Sequence, residues 1–240
     1  MGVAGLGQCV LARGIEPGWG GDALGRRGAG AGDLDLLVAL LSQRAYAQHG
    51  LDRNAEAASA LHAQARALWA CLGNGHGVNY ARYNVAVFDF QSGRRESALS
   101  QWDVIAAGAA SLQDWRRLSV VNSACCAALS DMRCWPRALQ ALRESLRHAW
   151  HAMHLYDVSV DLWNLPRVLA HLWQPGQALT LMVFAAQFWQ SRFGELTAEH
   201  RRHMQRVERL VSGRARGRAE ATARGRQLLL AEAVALALAD

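Results

Sequence analysis

The chain has 240 residues, 51% of them hydrophobic, which is enough for one large domain or a run of repeats around a sizeable core. Its formal net charge is +6, and all 26 basic side chains are arginine because there is no lysine. That excludes the usual phosphate-binding loop, which needs a lysine on the nucleotide phosphates. The longest apolar stretch, Leu228 to Ala239, carries Glu232 and falls short of the roughly 20 residues of a membrane span.

The basic, alanine-rich balance reads as the coding bias of a GC-rich genome rather than as a nucleic-acid footprint. No basic start followed by an apolar core marks a signal peptide. The cysteines are Cys9, Cys71, Cys125, Cys126 and Cys134, an odd set with no Cys-x-x-Cys pair. They read as reduced, buried thiols of a cytoplasmic protein.

Residues 1–32 hold 11 of the 22 glycines and no apolar periodicity, so they read as a disordered leader or a mis-assigned translation start. From Asp33, which suits an N-cap, the pattern turns helical through Leu34, Leu37, Val38 and Leu41 and ends near Gly50. A second helix runs from about Asn54 to Leu72, with Gly73-Asn74-Gly75 as its stop.

The next unit starts near Val78. Its first helix presents Ala81, Val85 and Phe88 and ends at Gly93; its second presents Ala98, Trp102, Ile105, Ala109 and Leu112. Asp114 opens a third unit, with stripes Leu118, Val121, Cys125, Leu129 and then Ala138, Leu142, Leu146, Ala149 after Pro136. The fourth follows with Val158, Leu162, Leu165, Leu169 and Leu172, a turn at Gln174-Pro175-Gly176, and Ala178, Met182, Ala185 and Trp189. In the tail, Thr197 caps a helix to about Val211 that Gly213 ends. Arg214 to Arg226 is broken by Gly217 and Gly225, and a last helix covers Leu228–Ala239.

One spacing organises these elements. Ala98-Leu99, Ala138-Leu139 and Ala178-Leu179 recur at a constant interval, with a weaker copy one interval earlier at Ala58. A fixed period of about 40 residues marks a helical-repeat array, in which stacked hairpins bury what one hairpin cannot. The recurring alanine has a steric reason, since two helices crossing closely admit only a small side chain. No strand pattern competes, and isoleucine occurs only at Ile15 and Ile105. The expected fold is all-α: a right-handed superhelix of antiparallel hairpins over 33–196, capped by helices in 197–240.

Chemistry-bearing motifs are sparse. His148, His151 and His154 are spaced by three, but no carboxylate or cysteine completes a ligand set nearby, and His200 and His203 read the same way. No Gly-x-Ser-x-Gly elbow occurs, and neither Cys71 nor Cys134 has a histidine in a local motif. No catalytic, cofactor or metal residue is therefore assigned, and no enzyme is expected. The arginines from Arg201 to Arg226 lie among Glu199, Glu208 and Glu220 without interleaved aromatics, as on a solvated helical face. Trp115, Trp135 and Trp173 fall at helix starts or loops and are the candidate partner-binding anchors.

The units resemble long tetratricopeptide-type repeats. Ala86 and Cys126 match the small residue of the first helix, Ala98, Ala138 and Ala178 that of the second, and Trp102 the aromatic that follows it. A narrower resemblance covers roughly 33–240. Ala67-Leu68-Trp69, Leu72-Gly73-Asn74, Arg82-Tyr83-Asn84-Val85-Ala86 and Leu162-Trp163-Asn164-Leu165-Pro166 carry it. So do Phe188-Trp189, Arg192-Phe193-Gly194, Gly225-Arg226 and the run Ala231 to Leu238. These are similar to the repeat region of bacterial ATPase-linked transcriptional regulators of the LuxR, MalT-like and AfsR-like kinds. The resemblance implies repeats that sense a protein partner or small effector and govern oligomerisation. The sequence shows neither the family's nucleotide-binding motif nor a helix-turn-helix, so direct DNA binding is not expected. A stand-alone repeat scaffold and nucleic-acid binding through the arginine-rich tail are the alternatives.

Overall fold

The computed structural model describes Leu41, residues 55–212 and residues 217–239. The leader 1–32, the helix expected from Asp33 to Gly50 (Leu41 apart) and Gly213 lie outside these. The described residues form ten helices and no strand: α1 (Ala55–Cys71), α2 (Gly75–Gln91), α3 (Arg95–Ser111), α4 (Trp115–Asp131), α5 (Trp135–His151), α6 (Leu155–His171), α7 (Pro175–Phe193), α8 (Ala198–Val211), α9 (Arg218–Gln227) and α10 (Leu230–Leu238). Among them, no helix is long and apolar enough to cross a membrane.

The period divides further than the sequence suggested. Each of α1 to α6 has 17 residues. Each is followed by a three-residue loop, so helices begin at a constant interval and one hairpin spans two such intervals. One loop geometry causes this. The middle residue is left-handed every time: Gly73 (φ 64°), Gly93 (85°), Gln113 (53°), Arg133 (58°), Met153 (52°) and Trp173 (62°). The next N–H turns back to the carbonyl five positions earlier, as in Asn74 to Trp69 (2.9 Å), Cys134 to Leu129 (2.8 Å) and Gln174 to Leu169 (3.0 Å). This is the Schellman closure, which uses carbonyls that a helix end leaves unpaired.

The third loop residue then caps the following helix, and here the loops alternate. Asn74, Asp114 and His154 open first helices, and their side chains accept from the N–H groups of Gly77, Arg117 and Asp157. Arg94, Cys134 and Gln174 open second helices without a side-chain cap. In α5 and α7 a proline in the first turn helps instead, since it has no N–H to satisfy.

Two expectations are corrected by this loop. The second hairpin begins at Gly75 and not at Val78, because the Asn74 cap draws Gly75 and Gly77 into the first turn of α2. The turn expected at Gln174-Pro175-Gly176 is Leu172-Trp173-Gln174, and Pro175 starts α7.

The chain comprises two compact units, one ending at Arg117 and the other beginning at Leu118. In the first, α2 packs against both α1 and α3. Gly77 is required there, since a Cβ would lie 2.3 Å from the Trp69 indole. Ala98, Trp102, Ile105 and Ala109 are completely buried, whereas Leu112, expected on the same stripe, is 40% exposed in the loop. Tyr83 and Phe90 pack on the Trp102 ring, and the Arg117 guanidinium lies over Tyr80 and Tyr83. Between α2 and α3, Asp89 accepts from Arg94, Ser97 and Gln101. Burial alone would raise the Asp89 pKa, but those hydrogen bonds and the Arg94 charge outweigh it and hold the carboxyl below its usual value.

In the second unit, α5, α6 and α7 pack in succession. Ala138, Leu142, Leu146 and Ala149 of α5 and Val158, Leu162, Leu165 and Leu169 of α6 are completely buried, as is Ala178 of α7. Leu139 and Leu179 are buried beside their alanines, while Leu99 of the first unit is half-buried. Pro166 sits inside α6, buried, at the position of Ala86 and Cys126 in earlier hairpins.

The tail folds back on this array. α8 packs on α6 and α7, α9 on α7, and α10 on α5, α6 and α7. That explains why α7 is apolar nearly all round, as a helix covered on several sides must be. The stretch read as broken by two glycines is largely helix: Gly217 is the left-handed residue before α9, and Gly225 lies buried within it.

Candidate binding site

The site is built from two first helices, one from each of two consecutive hairpins. On α4, Ser123, Cys126, Ala127 and Ser130 share one face by their spacings of three and four. On α6, Asn164, Arg167 and Val168 do the same. These seven residues line a pocket within the second unit. The small residues Cys126 and Ala127 leave the space, and Ser123, Ser130, Asn164 and Arg167 make it polar.

The thiol is not the reactive group. Burial pushes Cys126 up to about 12, helped by the charge of Asp161 and opposed by Ser130 and Arg167. It stays a neutral thiol at ordinary pH, with its Sγ 3.9 Å from Ser130 Oγ. Arg167 is lowered by burial, while Cys126 and Asp131 act to raise it and Arg206 to lower it further. Even so lowered, a guanidinium keeps its charge. Among the described residues it makes no hydrogen bond or ion pair; its contact is with the Trp135 ring, 5.7 Å away. Ser123 and Asn164 line the same pocket.

Arg167 also joins the pocket to an aromatic shelf. Trp135 stacks on His171 with ring centroids 3.8 Å apart and an angle of 8°. Burial, then Arg167 and Arg133, hold His171 below the ordinary histidine value, which favours the neutral ring that stacks. Two positions beyond, Trp173 is 69% exposed although its backbone is left-handed.

The three candidate tryptophans therefore divide. Trp135 is half-buried against His171 and Arg167, and Trp173, in the loop before α7, is largely exposed. Trp115 is half-buried at the start of α4 and belongs to the first unit. The pocket's own polar residues are missed by sequence reasoning. Their only signal is two polar positions, Asn164 and Arg167, interrupting the apolar run of α6.

The histidines do other work. His154 caps α6 and lies 2.9 Å from the buried Asp157 carboxylate. His200 and His203 of α8 pack on Trp163, and His200 also on Trp189. No three or more His, Cys, Asp or Glu among the described residues are grouped to hold a metal ion. Arg201, Arg202, Arg206 and Arg209 of α8 and Arg218, Arg224 and Arg226 of α9 are all exposed, and Arg218 pairs with Glu208 at 3.5 Å.

No family model matches the chain, and no curated protein or solved structure matches it either.

Proposed function

We propose that the chain is a helical-repeat binding module that recognises an acidic group on a protein partner or small effector. One observation carries the reading. The pocket between α4 and α6 holds a cationic side chain, Arg167, whose hydrogen-bond donors no described residue uses. A guanidinium matches a carboxylate or phosphate with two parallel bonds. Asn164 and Ser123 add neutral donors, and the Trp135–His171 stack lies next to Arg167. The repeat period supports the same reading, since such arrays serve mainly as binding surfaces.

The resemblance to ATPase-linked regulators supports a sensor and oligomerisation role within a larger assembly. An antibody against residues 54–200 tests that context: a cellular band several times larger than the 26.2 kDa of this chain is expected, and one near that mass would favour a free-standing scaffold. Binding itself is tested by screening acidic peptides and metabolites for thermal stabilisation of the chain. A ligand that stabilises the wild type and loses at least tenfold in affinity on Arg167→Ala is expected. A ligand that binds the variant equally well would place recognition elsewhere.

A further inference from the structure

The last helix is gripped by its backbone. Gln177 Nε2 of α7 donates to the carbonyl of Leu236 at 2.6 Å, and Arg143 Nε of α5 to that of Ala237 at 3.1 Å. The Arg143 guanidinium also donates to the carbonyl of Ala239. Carbonyls in a helix's last turn lack intrahelical donors and carry partial negative charge. Two side chains from different helices thus converge on a helix end, and a cation stands at its negative pole.

The side chains of α10 seat against three helices: Ala233, Val234 and Ala237 are buried and Leu230, Leu236 and Leu238 half-buried. At nine residues it is too short to persist as a helix away from its seat. Its link to α9 is Leu228 and Leu229, both extended, and Leu229 leaves 69% of its surface exposed. A short hinge invites a terminal element to exchange between identical chains, and a seat that grips backbone carbonyls holds the same helix from either chain.

We propose that the seat on α5–α7 also takes α10 of a second copy, so that two chains pair by exchanging their C-terminal helices. A second copy is the occupant because it carries a helix already seen to fit: small residues at 233, 234 and 237, and carbonyls placed for Gln177 and Arg143. Docking within one chain wins in dilute solution through its high effective concentration, and exchange grows as the chain is concentrated. This surface is distinct from the pocket between α4 and α6.

The test uses the full chain. Leu238, half-buried in α10, is replaced by a photoreactive benzoylphenylalanine in chains of light and heavy isotope, which are mixed, incubated and irradiated. Crosslinks from α10 to α5–α7 of the opposite isotope are expected, rising with protein concentration. Crosslinks confined to one isotope at every concentration would overturn the proposal. Should the substitution itself unseat α10, a fluorescent peptide of residues 228–239 is titrated against the unaltered chain. Saturable binding that Arg143→Ala weakens about tenfold supports exchange, and absence of binding at peptide concentrations up to the roughly millimolar range that matches a tethered helix overturns it.

Discussion

Ser145 donates its hydroxyl proton to the Asp161 carboxylate across 2.5 Å, joining α5 to α6 at a point where both residues are completely buried. Ser119 of α4 completes the group: its carbonyl lies 2.8 Å and its hydroxyl 3.2 Å from Ser145 Oγ. A buried carboxylate deprived of a donor keeps its full desolvation cost. Ser145→Ala should therefore cost about 1–3 kcal/mol, far beyond the value of a lost surface hydroxyl. Urea unfolding of Ser145→Ala beside the exposed Ser191→Ala checks this, and equal midpoints would contradict it.

Glycines 225 and 176 should respond oppositely to alanine. A Cβ at Gly225 would lie 2.4 Å from the Thr180 carbonyl oxygen and 2.9 Å from Val183 Cβ, where α9 presses on α7. At Gly176, in the first turn of α7, nothing lies within 4 Å. Gly225→Ala should destabilise by about 1–3 kcal/mol through overpacking. Gly176→Ala should stabilise by up to about 1 kcal/mol through helix propensity. Melting temperatures of the two variants moving in the same direction would refute the packing argument.

The loops give a third comparison. Met153 holds a left-handed backbone (φ 52°) with its side chain 70% exposed, so its contacts offset little of the strain. Met153→Gly should stabilise by about 0.5–1 kcal/mol, and Gly73→Ala should destabilise by about 1 kcal/mol. Thermal unfolding decides, and a destabilised Met153→Gly would show that its side chain matters to the fold.

Acid should loosen both units. Burial lowers His62 of α1 from 6.5 to about 4, and burial together with the Arg167 and Arg206 charges lowers His203 of α8 to about 4. The unfolded chain binds these protons more readily than the folded one. Their stabilisation is complete above pH 6.5 and is lost as pH falls through about 4. Each contributes on the order of 3 kcal/mol over that window. His62→Phe and His203→Phe should each flatten the stability profile between neutral pH and pH 4. An unchanged slope in both would mean these rings do not titrate with folding.

Much of the array was legible. The stripe Ala98, Trp102, Ile105, Ala109 is the buried face of α3, and Ala138, Leu142, Leu146, Ala149 that of α5, because apolar side chains three and four apart must face one neighbour. Thr197 does cap α8, with His200 returning the bond to its backbone. Legibility failed where glycine and proline read as punctuation. Gly75 and Gly176 lie inside helices and Pro175 begins one, because caps and close packing, not residue type, set those boundaries.

Periodicity and side-chain size are local, so the helical class of the described residues, the fixed period of their hairpins and the buried faces of α3, α5 and α6 could be read from the sequence. Tertiary structure alone decided that Ser123, Cys126, Ser130, Asn164 and Arg167 share a pocket and that Arg143 meets Ala237. Those groupings join residues far apart along the chain, and only the packing of whole helices fixes which polar side chains meet.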